Sequence, residues 1–299
     1  AARHDELQRA AEWCLAAQSQ QRGGEEAEIV GLHIEGPYIN PRRKGAQPAA
    51  GIRDPDFDEC AALLAAAGGQ VRVMTLAPEL PGGVELVRFL RERGVIASLG
   101  HTDADYDTAL AAVEAGATHA THLFNQMRRL HHRDPGVAVA CLNESRIVAE
   151  VIADGVHLAP GTVHLTVRAK GADGVALVTD AISAVGRPDG EYALGPQTVY
   201  VRGDRCTLAD GTFAGSMLTM ERGTANLMRF AGVSLAEAAR MASLVPARIA
   251  GCVDRKGSLE PGKDADIILL TPAFQVVATV ARGRLAYLTP AGAERLRSQ

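Results

Sequence analysis

Short apolar, β-branched runs alternate with helical segments along most of this chain, and that alternation restricts the fold more than any other feature. One complete unit lies between Val95 and Met127. Residues 95–99 read as a strand ending at Gly100-His101; Tyr106, Leu110 and Val113 then share a helical face, Gly116 stops that helix, and a second short strand ends at His122. Further strands are expected at 29–34, 71–76, 147–152 and 175–179, and helices at 5–18, 58–67, 84–93, 162–170, 219–230 and 234–244. The last helix opens with a capping box, Ser234 and Glu237. Strands and helices in this order indicate a parallel sheet or an α/β barrel, in which the carboxyl ends of the strands share one rim. The stretch 186–208 departs from the pattern and reads as an inserted hairpin. A tail of short apolar strands at 267–270, 276–280 and 285–287 reads as a small β appendage.

Composition narrows the partners. A chain of 299 residues with 47% hydrophobic residues can bury a large core. A formal net charge of −4 leaves no electrostatic footprint for nucleic acid or an anionic membrane, so a small molecule is the expected partner. The five cysteines are scattered without a Cys-x-x-Cys pair, as suits free thiols in a reducing compartment. No apolar run reaches the ~18–20 residues of a membrane span, and no signal peptide opens the sequence. Cytoplasmic location is the expectation.

Four ionisable residues stand at expected strand ends: Glu35, His101, His122 and Asp180. Glu, His and His offer one oxygen and two nitrogens to a divalent metal, as hydrolytic zinc sites do, and leave a position for water. Asp180 is then placed to take a proton from that water and deliver it to a leaving group. A long loop follows Glu35, and long loops at strand ends commonly carry function. Its charge run, Arg42, Arg43 and Lys44, is expected to be a solvated face.

GLHIEGPYIN with KGA, SLGHTDADYDTA, THLFNQM with HHRDPG, IADGVH, LVTDA, GSMLTM, MASLVPAR and KGSLEPGKDAD occur here in one order. Together they resemble the N-acetylglucosamine-6-phosphate deacetylases of the amidohydrolase superfamily, over essentially the whole chain. The resemblance implies a (β/α)8 TIM-type barrel of the metallo-dependent hydrolase kind with a small β-sandwich domain, usually as a homodimer. It implies deacetylation to glucosamine-6-phosphate and acetate, with a related N-acetylhexosamine phosphate or an impaired sugar-phosphate-binding fragment as alternatives. By motif, Glu35, His101 and His122 match the family's metal ligands, zinc first with iron or another divalent ion as alternatives, and Asp180 matches its catalytic acid/base. Asn125, Arg133 and His157 match substrate-binding positions, the last two those that hold the 6-phosphate. Leu218 and Met220 match contacts around the N-acetyl group or sugar.

Two departures qualify the match. Where the family has a histidine that polarises the scissile carbonyl, this chain has Gln47, a donor that cannot carry an imidazolium's charge. By strand count the barrel is expected to lack its first two strands, with 1–254 as an incomplete catalytic domain and 255–299 as the C-terminal part of the small β domain. Gln126 and Arg129, where the family usually has alanine and often proline, lie beside the substrate loop and are expected to bear on specificity.

Overall fold

The computed structural model describes residues 1–297. Six parallel strands form one sheet, curled into a half-barrel: β1 (Leu32–Glu35), β2 (Val71–Leu76), β3 (Ile96–Leu99), β4 (His119–Ala120), β5 (Val148–Ile152) and β6 (Val175–Val178). Strand order equals chain order, with β1 and β6 at the two edges. Each crossover therefore returns beside the strand just left, and all carboxyl ends meet on one rim. The helices α1 (His4–Gln20), α2 (Phe57–Ala66), α3 (Gly83–Glu92), α4 (Tyr106–Ala115), α5 (Gly136–Asn143) and α6 (Pro160–Lys170) lie in or before these crossovers.

Local chemistry sets the boundaries. Asp56 and Asp105 cap α2 and α4 by accepting from the amides of Glu59 and Thr108. Gly116, at φ 122°, ends α4 in a conformation that other residues avoid. The Ser234 box opens α8 (Leu235–Ala239), which continues through a π-type turn at Arg240–Leu244 into α9 (Val245–Ile249), beyond the expected end. Pro246 lies just past the π-type turn, where the helical ladder is already irregular.

The core packs the outer face of the sheet, including Met74, Leu76, Leu99 and Ile147, against Leu63, Leu86 and Leu90 of the helices. Each such buried side chain stabilises the fold by about 1.5–3 kcal/mol relative to exposure. A polar layer links three strands: Thr75 and Ser98 hydroxyls both bond Thr121 Oγ1, at 2.7 and 2.6 Å.

Other elements also differ from the sequence reading. β4 stops at Ala120 rather than reaching His122, because His122 turns to φ 30° and leaves the ladder. Helix α5 occupies a stretch where the sequence predicts no element: Val137, Ala138, Ala140, Cys141 and Leu142 are all buried, so no amphipathic period marks it. A terminal helix, α10 (Pro290–Arg297), likewise lies outside the elements that the sequence predicts. The excursion is a three-stranded antiparallel sheet, β7 (Gly190–Leu194), β8 (Gln197–Arg202) and β9 (Arg205–Thr207), and α7 (Met220–Ala231) follows it. The tail forms a separate sheet of β10 (Ile267–Leu270), β11 (Val276–Ala281) and β12 (Arg284–Leu288), as the pattern anticipates.

Gly100 shows how tightly the rim is packed. A Cβ there would lie 2.7 Å from Thr75 Cγ2 and 2.9 Å from Thr121 Cβ. Gly100→Ala is expected to lower stability by about 1–3 kcal/mol, measured by denaturant unfolding, since an interior this close cannot absorb a methyl without backbone movement.

Candidate metal centre

Glu35 is the last residue of β1, while His101 and His122 follow the ends of β3 and β4. Both histidines have positive φ, 49° and 30°, a conformation uncommon outside glycine that turns their rings back over the rim. Glu35 Oε1 sits between them, 3.0 Å from His101 Nε2 and 2.9 Å from His122 Nε2. One ligand atom from each residue falls within 4.8 Å of the others, and both histidines are buried. The set can hold a divalent cation: it supplies one oxygen and two nitrogens, the donor chemistry of hydrolytic zinc sites. His101 Nδ1 donates to the carbonyl of Arg43 at 2.7 Å, which fixes the ring and leaves Nε2 turned to the centre. His122 Nδ1 is buried with no hydrogen-bond partner among the described residues.

Electrostatics favour charge separation here. Burial pushes the Glu35 carboxyl up, but hydrogen bonds from His101 and His122 outweigh it and hold its pKa well below the usual range. Burial likewise disfavours the His122 imidazolium, yet the hydrogen bond and charge of Glu35 raise its pKa to about 9. Asp180 follows β6 at φ 50°, its carbonyl accepting from the Ser216 amide at 2.7 Å. Asp180 is exposed at the rim, where partial withdrawal from water raises its pKa against the opposing charge of His122.

The amidohydrolase family model matches residues 17–286. The chain belongs to the amidohydrolase family. Among its relatives, the N-acetylglucosamine-6-phosphate deacetylase of Bacillus subtilis is 42% identical over 283 residues, 95% of this chain and 71% of that protein. The N-acetylgalactosamine-6-phosphate deacetylase of Escherichia coli O157:H7 is 38% identical, over 95% of this chain and 73% of its own. Among solved structures, a substituted N-acetyl-D-glucosamine-6-phosphate deacetylase from Mycobacterium smegmatis, in complex with N-acetyl-D-glucosamine-6-phosphate, superposes with a TM-score of 0.90 at 36% identity. That match covers 97% of this chain and 75% of the other. Within the family, the chain belongs with these N-acetylglucosamine-6-phosphate deacetylases.

The amidohydrolase places its remaining candidate residues unevenly. Gln47 reaches the centre directly, its Nε2 donating to Glu35 Oε2 at 2.5 Å. The loop carrying it is braced by the β7–β9 sheet, where Gln197 Nε2 donates to the carbonyl of Ala46 at 2.6 Å. Asn125 folds back, donating from Nδ2 to the His122 carbonyl at 3.1 Å. Gln126, at φ 51°, accepts from the Thr102 amide at 3.1 Å and packs beside Gly45. His157 donates through Nδ1 to Asp154 at 2.6 Å and lies 5.2 Å from the Phe213 ring. Leu218 is buried, whereas Met220 and Arg133 are exposed, Arg133 bonding His132 Nε2 at 2.7 Å.

Several supporting residues escape a sequence reading. Arg43 is no mere solvated cation: its guanidinium bonds Asp103 Oδ1 from both Nε and Nη2, at 2.8 and 2.5 Å. Glu79 accepts from Asn40 Nδ2, the Thr102 hydroxyl and the Asp103 amide, tying the loop to the His101 turn. Glu150 is buried within β5, where burial raises its pKa but the His119 hydrogen bond and the charges of His119, His33 and His122 bring it down to about 2. A carboxylate inside an apolar strand was a usable signal. The partners of Arg43 and Glu79 were not legible, because they lie across the rim.

In the metal-free protein the Glu35–His122 pair should make stability pH-dependent. His122 is raised from 6.5 to about 9, so its contribution is complete below 6.5 and disappears as pH rises through 9. Glu35 is lowered from 4.5, so its contribution is present above 4.5 and disappears in acid. Melting of chelator-treated protein should therefore show a loss of stability between pH 6.5 and 9 that His122→Gln flattens.

Proposed function

We propose that this amidohydrolase hydrolyses N-acetylglucosamine-6-phosphate to glucosamine-6-phosphate and acetate. The observation that carries the reading is the meeting of Glu35, His101 and His122 on the same rim as Asp180. It is supported by 42% identity to a deacetylase of that name. The family is metal-dependent, and Glu35, His101 and His122 would hold the cation, with zinc best matched to one carboxylate and two imidazoles. When bound, such an ion supplies Lewis acidity toward water and toward the amide oxygen.

Asp180 accepts the proton from the attacking water as the carbon–oxygen bond forms. It then returns that proton to the sugar nitrogen as the carbon–nitrogen bond breaks, so one carboxyl serves both steps. Its raised pKa suits a group that must hold the proton between them. Gln47 offers a neutral N–H to the carbonyl oxygen. Arg133, with a planar fork of donors, and His157, steadied by Asp154, are read as the phosphate contacts. Asn125, Gln126, Leu218 and Met220 would border the sugar and acetyl group. Residues 1–254 are read as the catalytic unit and 255–299 as its β appendage. Five free cysteines support a cytoplasmic setting. No helix among the described residues is long and apolar enough to cross a membrane. The homodimer expected of the family is checked by sedimentation.

The purified protein should contain about one divalent ion and release free amine from N-acetylglucosamine-6-phosphate. Asp180→Asn should lower kcat by ~10²–10⁴, the usual worth of a general acid–base group, while keeping the metal. His122→Ala should lose both metal and turnover; normal turnover in either variant would sink the assignment. Restoring an imidazole with Gln47→His should raise kcat at least tenfold, within the ~10²–10³ that one carbonyl-polarising donor contributes. An unchanged kcat would show that glutamine is an adequate donor.

A further inference from the structure

Glu150 makes contacts that an apolar strand does not require. Its neighbours Ala149 and Val151 pack into the hydrophobic clusters on the outer face of the sheet, while its own side chain is buried beside His119 and near the more exposed His33. Oε2 accepts from the His122 amide at 3.1 Å, and Oε1 accepts from His119 Nε2 at 3.0 Å. The backbone carbonyl of Glu150 also accepts from the Leu123 amide at 2.9 Å. One residue thus holds the peptide groups on both sides of His122.

That is where β4 abandons its ladder. His122 adopts φ 30°, and a non-glycine residue in this region is strained and persists only where its surroundings over-determine it. Ladder pairing cannot do so, because β4 has ended at Ala120. The Glu150 carboxylate supplies the acceptor that the ladder would have provided, and a charged acceptor makes the stronger bond. His119 holds the carboxylate from its other oxygen, and His33, whose Nδ1 lies 3.8 Å from Oε1, is itself anchored to Thr75 Oγ1 at 2.8 Å. An apolar residue at position 150 would avoid the desolvation of a buried carboxylate but leave the His122 N–H without a partner.

We propose that Glu150 is a positioning residue for the metal centre: by accepting the His122 amide it fixes the backbone turn that aims His122 Nε2 at Glu35 Oε1. The proposal rests on the reading that Glu35, His101 and His122 hold a divalent ion. It assigns Glu150 no contact with that ion or with substrate.

Glu150→Met and Glu150→Gln are similar in size and differ in whether an oxygen remains for the His122 N–H. Zinc affinity is read by competition with a chromogenic chelator, and ligand geometry by the visible spectrum of the cobalt-substituted protein. Glu150→Met is expected to weaken zinc binding by about 10–100-fold and alter the cobalt bands, while Glu150→Gln stays within about threefold of wild type. A role confined to folding would lower the melting temperature and leave both metal readouts unchanged. Wild-type affinity in Glu150→Met overturns the proposal; so does an equal loss in both variants, which would assign the effect to charge instead of the acceptor. If Glu150→Met does not fold, Glu150→Asp, which withdraws the oxygen by one methylene, should bind zinc at least about threefold more weakly than Glu150→Gln, and parity overturns the proposal. Wild-type protein that binds no zinc or cobalt fails earlier, at the ligand assignment itself.

Discussion

The carboxylate oxygen of Glu35 between two imidazole nitrogens is the contact on which the rest of this rim depends. The partners are 66 and 87 residues distant from Glu35 along the chain, so the contact exists only if β1, β3 and β4 end at one level. A parallel sheet in chain order does this without long detours. Bringing three ionisable groups together out of bulk water is unfavourable unless their charges are matched. In the protein alone the Glu35 carboxylate is matched by the His122 imidazolium that it favours. A divalent cation answers the same requirement with more charge, which is why the donor set suits one.

The surrounding structure serves to hold two histidine turns that the strands do not stabilise. His101 is held by its backbone carbonyl on the Asn40 amide, by its ring on the Arg43 carbonyl, and indirectly by the Arg43–Asp103 and Glu79 contacts. His122 is held from beneath by Glu150. Both arrangements place a charged side chain one layer behind a ligand-bearing turn, where partial burial strengthens it. The β7–β9 sheet acts at greater distance, bracing the loop that delivers Gln47. A stretch that reads as a digression in the sequence thus borders the centre.

Much of this was legible in the residues. The strand and helix alternation gives the sheet, because periodicity and capping are local properties: Asp105, Gly116 and Ser234 mark their boundaries without reference to anything distant. The ligand candidates were also legible, since Glu35, His101, His122 and Asp180 each stand at or just past the end of a recognisable strand. Helix α5 was not, as a helix buried on nearly every side carries no polar face to set its period. The early end of β4 was not, because the apolar pattern runs on through Thr121 while the backbone turns away.

The sequence by itself therefore determined the element order, the amidohydrolase character and the chemical types at the rim. Tertiary structure alone decided which of those groups touch. It made Arg43 a clamp on Asp103, turned Gln47 onto Glu35, and set Glu150 beneath His122. The reason is physical: helix and strand propensity act over a few residues, whereas hydrogen bonds and charge pairing at this rim join residues tens of positions apart. Their strength depends on burial and geometry that no local pattern records.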